Sequence, residues 1–311
     1  MASQAEARVA RREGGALLTR VAAHRASPRY AWLIYAVLIV GAVVSIGPFI
    51  YMVLTSLKDY GSLIDNIMWP WPPLGTEPFQ WHNYVQAIQD AGWDKDWGTW
   101  LFLRYFANSA IVATITVAGV LATSSLSAYA FAQMSIPGKN VLFVIVLATI
   151  MVPSDLVLVP KVVLMFDFGW YNTYAALVVP FLVSVFGIFL LRQFFQQVPR
   201  DLFDAAQLDG AGHVQYLWSI MLPLSYPAVI TLALFTLVWS WDEFKWPLLV
   251  TRDSNMRVLG VGLQQFMVGE GGTKAQLMMA LATLMILPVL AFYFVTQKHF
   301  AEAMITSGIK G

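Results

Sequence analysis

From Ala31 to Leu57 the chain carries no charged side chain. That run is long enough to cross a bilayer, because about 20 apolar residues in a helix span the hydrocarbon core. Lipid offers no water to the backbone, so an isolated run of this kind must satisfy its own peptide groups as a helix. Similar stretches follow at about 106–131, 141–165 and 174–195, a fifth ends near Pro247, and a sixth covers about 276–296. The expected fold class is therefore an all-α integral membrane protein with six transmembrane helices. Charged residues make up 12% of the chain, half of what soluble domains carry. The absence of cysteine excludes disulfides, thiolate metal sites and a cysteine nucleophile. The histidines His24, His82, His213 and His299 are scattered, and only His299 and Glu302 share an i, i+3 spacing, so no metal site is assigned.

Residues 1–30 are a separate basic segment, with Arg8, Arg11, Arg12, Arg20, Arg25 and Arg29. The apolar run behind it is too long for a signal-peptide core and is read as a retained first span. Residues 31–311 form the transmembrane domain. The loop 58–105 is acid-biased and rich in Trp and Pro, as suits the outer face. Asn108-Ser109 is expected to open the second span. Pro153, Ser154, Asp155, Pro160 and Lys161 break the third. Six spans put both termini on one side. Lys139, Arg192, Arg200, Lys298 and Lys310 share that side with the basic N-terminus, so the positive-inside rule assigns it to the cytoplasm.

On the same side, residues 199–216 form a polar island. Asp201 is expected to cap a short helix, with Asp204 in its first turn. Ala205, Ala206 and Leu208 favour the helix, and Gly210 ends it, leading to a second piece with Tyr216, Leu217 and Trp218. Such an element is too small to be a domain and is shaped like a plug for another protein's socket.

The spacing Asp204-Ala205-Ala206, Gly210, Ile220, Leu222-Pro223 resembles the cytoplasmic loop of ABC importer permeases, written Glu-Ala-Ala, three residues, Gly, nine residues, Ile, one residue, Leu-Pro. Asp204 stands where the family usually has Glu, one methylene shorter. Ser56-Leu57-Lys58, Asn108-Ser109, the broken third span, Trp241-Asp242-Glu243-Phe244 and the tail Thr306–Gly311 are similar to the carbohydrate-uptake branch and its MalG-like subunits. The resemblance implies a type I importer permease architecture (MetI/MalG-like) in a prokaryotic cytoplasmic (inner) membrane. It implies a second homologous permease subunit, two ATPase subunits and an extracytoplasmic solute-binding protein as partners, besides the lipid bilayer and without nucleic acid. The chain itself would need no cofactor, ATP and Mg being bound by the ATPase. Asp204, Ala205, Ala206, Asp209 and Gly210 would then form the coupling helix. In the C-terminal cytoplasmic tail, residues 298–311, Ser307, Gly308, Lys310 and Gly311 would reach between the ATPase subunits; a frayed terminus is the alternative.

Three further groups stay open. Trp239, Trp241, Asp242 and Glu243 would line a sugar path, since indoles stack on sugar C–H surfaces and carboxylates accept from hydroxyls. An interfacial belt is the other reading. Gly269, Glu270, Gly271 and Gly272 would make a mobile loop toward the binding protein, or a plain exposed turn. Asp155 and Lys161 would be structural charges facing the bundle, or part of a proton relay.

The chain has no phosphate-binding loop: Gly138-Lys139 is followed by Asn140, with no Gly at the required distance before it. The function expected is thus the non-catalytic permease subunit of a sugar importer. An ion-coupled secondary transporter is the alternative, with Asp155 as the only candidate acid. A membrane enzyme would need a dyad or metal set that the spans lack.

Overall fold

A computed structural model describes residues 28–59, 61, 79–264 and 274–308, in two compact units that divide between Leu54 and Thr55. The first unit is the greater part of helix α1 (Pro28–Ser56), whose stretch Tyr30–Ser56 is an apolar span without a charged residue.

The second unit begins where the sequence suggested only a long outer loop. Within that loop lie helix α2 (His82–Asp90) and a two-stranded antiparallel hairpin, β1 (Trp93–Asp94) and β2 (Thr99–Trp100). The amide of buried Asn83 donates to the carbonyls of Ser56 and Lys58, both at 2.8 Å, and Ser56 Oγ lies 2.7 Å from the Tyr84 hydroxyl. These bonds satisfy carbonyls that the helix end leaves open. They account for the Ser56-Leu57-Lys58 stretch.

Helix α3 (Leu101–Gln133) is the spine of the unit. It starts five residues before the expected Phe106, so Asn108 and Ser109 do not open the span but sit two turns inside it, buried. Small residues let other helices approach closely. A Cβ on Gly187 would fall 2.5 Å from Ser124 Oγ of this helix and 3.0 Å from the Leu232 side chain, so glycine lets the main chain at 187 come close to both.

The third span is broken as the prolines foretold. Helix α4 (Lys139–Ala148) runs through a 3-10 turn to Met151, and the chain then turns by 86° into the stretch Ser154–Asp167, which ends in helix α5 (Leu158–Asp167). The fourth span is broken too, which was not expected. Helix α6 (Tyr174–Val178) and a 3-10 turn to Phe181 meet helix α7 (Val185–Phe195) at 42°. Pro180 explains the break, because it cannot donate to the carbonyl of Ala176. The Trp246 indole takes that carbonyl instead, at 2.9 Å, and the freed carbonyl of Leu182 accepts from Thr123 at 2.6 Å.

Helix α8 (Arg200–Leu208) and helix α9 (His213–Tyr216) form the polar island. A π-helical turn over Leu217–Met221 follows, and the chain bends by 85° near Ser225 into helix α10 (Tyr226–Asp242). Pro223 cannot bond the carbonyl four residues back, and the wider π turn is where the helix accommodates that loss. The fifth span ends at Asp242 rather than Pro247, since helix α11 (Lys245–Val250) is separate. Helix α12 (Leu259–Gln264) leads toward the last helix, α13 (Ala275–Gly308), which continues well past the expected span end at 296. Among the described residues, three helices are long and apolar enough to cross a membrane, and six spans result when each bent pair counts as one.

Candidate functional site

The island's helix α8 begins after Pro199, with Arg200 as its first residue. Asp201 is therefore not the cap but the first-turn acid, and Asp204 lies one turn further on. The sequence misplaced both because Pro199, not Asp201, holds the extended backbone that starts the helix. Asp204, Ala205, Asp209 and Gly210 are exposed. Ala206 is not: it is 6% exposed and packs into the chain's own core, so Ala205 is the outward member of the pair. Gly210 ends the helix in the left-handed conformation, φ +84°, with its N–H on the Gln207 carbonyl. Leu208, an apolar side chain on a polar loop, is 90% exposed.

An aromatic cluster that composition did not reveal holds the island in place. Phe203 of α8 stacks on His213 of α9, centroids 5.1 Å apart, and meets Tyr216 edge-on at 5.0 Å. Tyr129, near the end of the spine helix α3, places its hydroxyl 2.7 Å from His213 Nδ1. Tyr216 is fully buried. The island thus rides on α3 as one body. The available signal was four aromatic rings flanking Gly210 and the end of the second span. Tyr129→Phe keeps the ring and removes the hydroxyl bond, at a cost of about 1 kcal/mol. Faster amide hydrogen exchange over 201–216, with the rest of the chain unchanged, is the expected readout.

On the other side of the molecule the four residues assigned to a path separate. Trp241 is 6% exposed, donates its indole N–H to the Met285 carbonyl at 2.9 Å and meets Phe106 edge-on: it is a core residue tying α10 to α13. Glu243 accepts from the Trp246 N–H at 3.0 Å and so caps α11. Asp242 is exposed at the edge of a cleft of about 750 Å³ between α10, α12 and α13. Trp239 is 44% exposed and faces a different cleft, of about 440 Å³, beside the break in the fourth span.

Asp155 pairs with Lys245 at 2.9 Å, tying the bend of the third span to α11. The hydrogen bond that Lys245 donates to Asp155, with the charge of that carboxylate, raises the Lys245 pKa above the usual lysine value. Lys161 lies 5.6 Å from the Phe181 ring centre. Gly269, Glu270, Gly271, Gly272, Lys310 and Gly311 lie outside the described residues; Ser307 and Gly308 end α13. Among the described residues no group of His, Cys, Asp or Glu is arranged to hold a metal.

Residues 115–306 match the family described as "Binding-protein-dependent transport system inner membrane component". The chain belongs to that family. It is 28% identical, over 92% of its length and 99% of the relative's, to the arabinooligosaccharides transport system permease protein AraQ of Halalkalibacterium halodurans. It is 30% identical to the sn-glycerol-3-phosphate transport system permease protein UgpE of Yersinia enterocolitica, over 74% of this chain and 81% of that one. A subunit of a bacterial ABC transporter involved in alginate import superposes with a TM-score of 0.74 at 24% identity, covering 89% of this chain and 99% of the other, which shows the type I importer permease fold. The protein is thus a multi-pass inner-membrane permease of a binding-protein-dependent ABC importer. It is not itself catalytic; ATP is bound by the partner ATPase.

Proposed function

We propose that this permease imports a neutral oligosaccharide, and that the exposed face of α8 couples its spans to the ATPase. The observation that carries the coupling role is the pairing of an outward face, Asp204, Ala205 and Leu208, with an inward face fastened to the spine helix through Phe203, His213 and Tyr129. A push on the outer face would travel into α3 through packed rings rather than be lost in a loop. Two ATPase subunits, a second homologous permease and an extracytoplasmic binding protein complete the assembly, with both termini of this chain in the cytoplasm. Residues 1–30 act as a basic cytoplasmic segment, and 298–311 as a tail toward the ATPase. The loop around Gly269–Gly272 faces the binding protein.

The relatives named above carry arabinooligosaccharides and sn-glycerol-3-phosphate. A neutral sugar is favoured because, among the described residues, no Arg or Lys lines either large cleft. An ion-coupled mode is disfavoured because Asp155 is already paired with Lys245 in an exposed ion pair. The test is purification from detergent-solubilised native membranes, followed by reconstitution. Co-purification of an ATPase and a second permease, with ATP-dependent uptake of neutral trisaccharides, is the expected result. Uptake of sn-glycerol 3-phosphate alone would overturn the substrate class. A chain that purifies alone and transports on an ion gradient would overturn the coupling role.

A further inference from the structure

Where the third span begins and the fourth ends, two cations stand side by side with no counter-charge. The Arg192 guanidinium of α7 lies over the ring of Phe143 on α4, 4.1 Å from its centroid. Lys139 is one turn before Phe143 on the same face of α4, and its Nζ donates to the Met134 carbonyl at the end of α3, at 3.0 Å. Gln133 donates to the Phe195 carbonyl at 3.0 Å and fastens that end of α3 to the end of α7. Both cations are half-buried, and neither has an ion pair among the described residues. The Arg192 side chain makes none of the described hydrogen bonds, and its Nε is buried without a partner. Between Asp96 and Asp201 the sequence holds two acids, Asp155 and Asp167, and both lie past the break in the third span.

We propose that Arg192 and Lys139 hold the phosphodiester headgroup of an anionic phospholipid, whose acyl chains run along the apolar faces of α4 and α7. An aromatic ring attracts a guanidinium but does not neutralise it, so a charge at the end of a membrane span still calls for an anion. The ring also fixes the plane of Arg192 and leaves its donors open, and a planar guanidinium matches the oxygens of a phosphate two at a time. Lys139 spends one of its three donors on Met134 and keeps two. Exposed apolar side chains continue from both cations toward the membrane interior: Leu142 and Ile145 follow Lys139 on α4, and Phe189 lies one turn before Arg192 on α7. A free phosphate would leave that apolar surface unused, whereas a lipid covers both parts at once. Basic pockets between transmembrane helices take anionic headgroups in this way. The site goes beyond the substrate and the ATPase contact and depends on neither. It would brace the ends of α3, α4 and α7 where the chain leaves the membrane for the polar island.

The test is native mass spectrometry of the purified importer, stripped of lipid in detergent and titrated with dioleoyl phosphatidylglycerol or dioleoyl phosphatidylcholine. The wild type should hold one phosphatidylglycerol at least about fivefold more tightly than phosphatidylcholine, since each basic residue near an anionic headgroup contributes about that factor. Arg192→Gln should weaken phosphatidylglycerol binding about fivefold and leave phosphatidylcholine unchanged. Lys139→Gln alters only a side chain at a helix start, so it keeps the test open if Arg192→Gln fails to assemble, and it should act in the same direction. The double variant should bind the two lipids equally. Arg252→Gln, which removes the same charge at a distant exposed position, should match the wild type. Phosphatidylglycerol should also raise the thermal midpoint of the wild type and not that of the double variant. A wild type without preference between the lipids overturns the site. So does a preference that survives the double variant, because other groups or a partner subunit would then account for it. Displacement of the lipid by 50 mM inorganic phosphate, as about the concentration to use, would show a free-anion site and overturn the lipid as occupant.

Discussion

Asp204→Lys should abolish ATP-driven uptake while leaving the chain in the membrane. Asp204 is exposed on α8 and makes none of the described hydrogen bonds or ion pairs within the chain, so the substitution costs little in folding. What it changes is the charge presented outward. In the proposed assembly a carboxylate here accepts charge-assisted hydrogen bonds from the ATPase, and lysine turns that attraction into repulsion. A loss of at least about 2 kcal/mol is the expected size for breaking such a pair at a covered interface, enough to reduce complex recovery more than tenfold. The measurements are the amount of ATPase that co-purifies and the uptake rate, against the quantity of the variant in the membrane fraction. Asp204→Glu, which restores the residue usual at this position in the family, should retain function. Normal uptake by the lysine variant would remove the role assigned to this acid.

Asn108→Leu should have the largest effect on stability. Asn108 is fully buried on α3, and its amide donates to the carbonyls of Asn255 and Arg257, both at 2.8 Å, while its Oδ1 accepts from the Tyr174 hydroxyl. Beside it, Ser109 Oγ accepts from the Leu259 N–H at 2.9 Å, and Arg104 donates to the Asn255 carbonyl at 3.1 Å. One side chain therefore joins the spine helix, the start of the fourth span and the 3-10 turn Ser254–Met256 that leads into α12. Leucine has the size but none of the bonds: it leaves the Arg257 carbonyl and the Tyr174 hydroxyl without these partners, and the Asn255 carbonyl with Arg104 alone. The cost is about 3 kcal/mol, since each abandoned buried polar group costs about 1–3 kcal/mol. Thermal unfolding of the detergent-solubilised protein should shift down by several degrees. Asn108→Asp, which keeps the acceptor for Tyr174 but offers the two carbonyls no amide, should fall close to leucine. An unshifted midpoint in both variants would mean that other groups hold the outer loop.

The sequence showed Asn108-Ser109 as a pair of polar residues in an apolar run and suggested a helix start. Their role is set by residues roughly 150 positions further on, and local composition carries no record of such partners. The same limit applied to the path cluster. Trp239, Trp241, Asp242 and Glu243 are adjacent in the chain, yet successive residues of a helix point in different directions, so they end in a cleft, in the core, at another cleft's edge and at a helix start. The break in the fourth span was within reach, since Pro180 stands in the middle of it, but a proline in a span bends the helix only as far as its neighbours re-bond the freed carbonyl. Here Trp246 does so.

By itself the sequence determined that the chain crosses a membrane several times, because uncharged runs of that length have no other stable home. It also determined where the polar island between the fourth and fifth spans lies, because a stretch bounded by Pro199 and Pro223, with Gly210 inside it, cannot continue either span. Only the tertiary structure decided which side of that island faces outward. Ala205 and Ala206 are chemically identical, and only the packing of Phe203, Tyr216 and Tyr129 turns one to solvent and the other into the core. The burial of apolar surface favours rings packed together but does not select among the rings of a chain with this many aromatics. That selection needs helices that are far apart in sequence to be brought side by side.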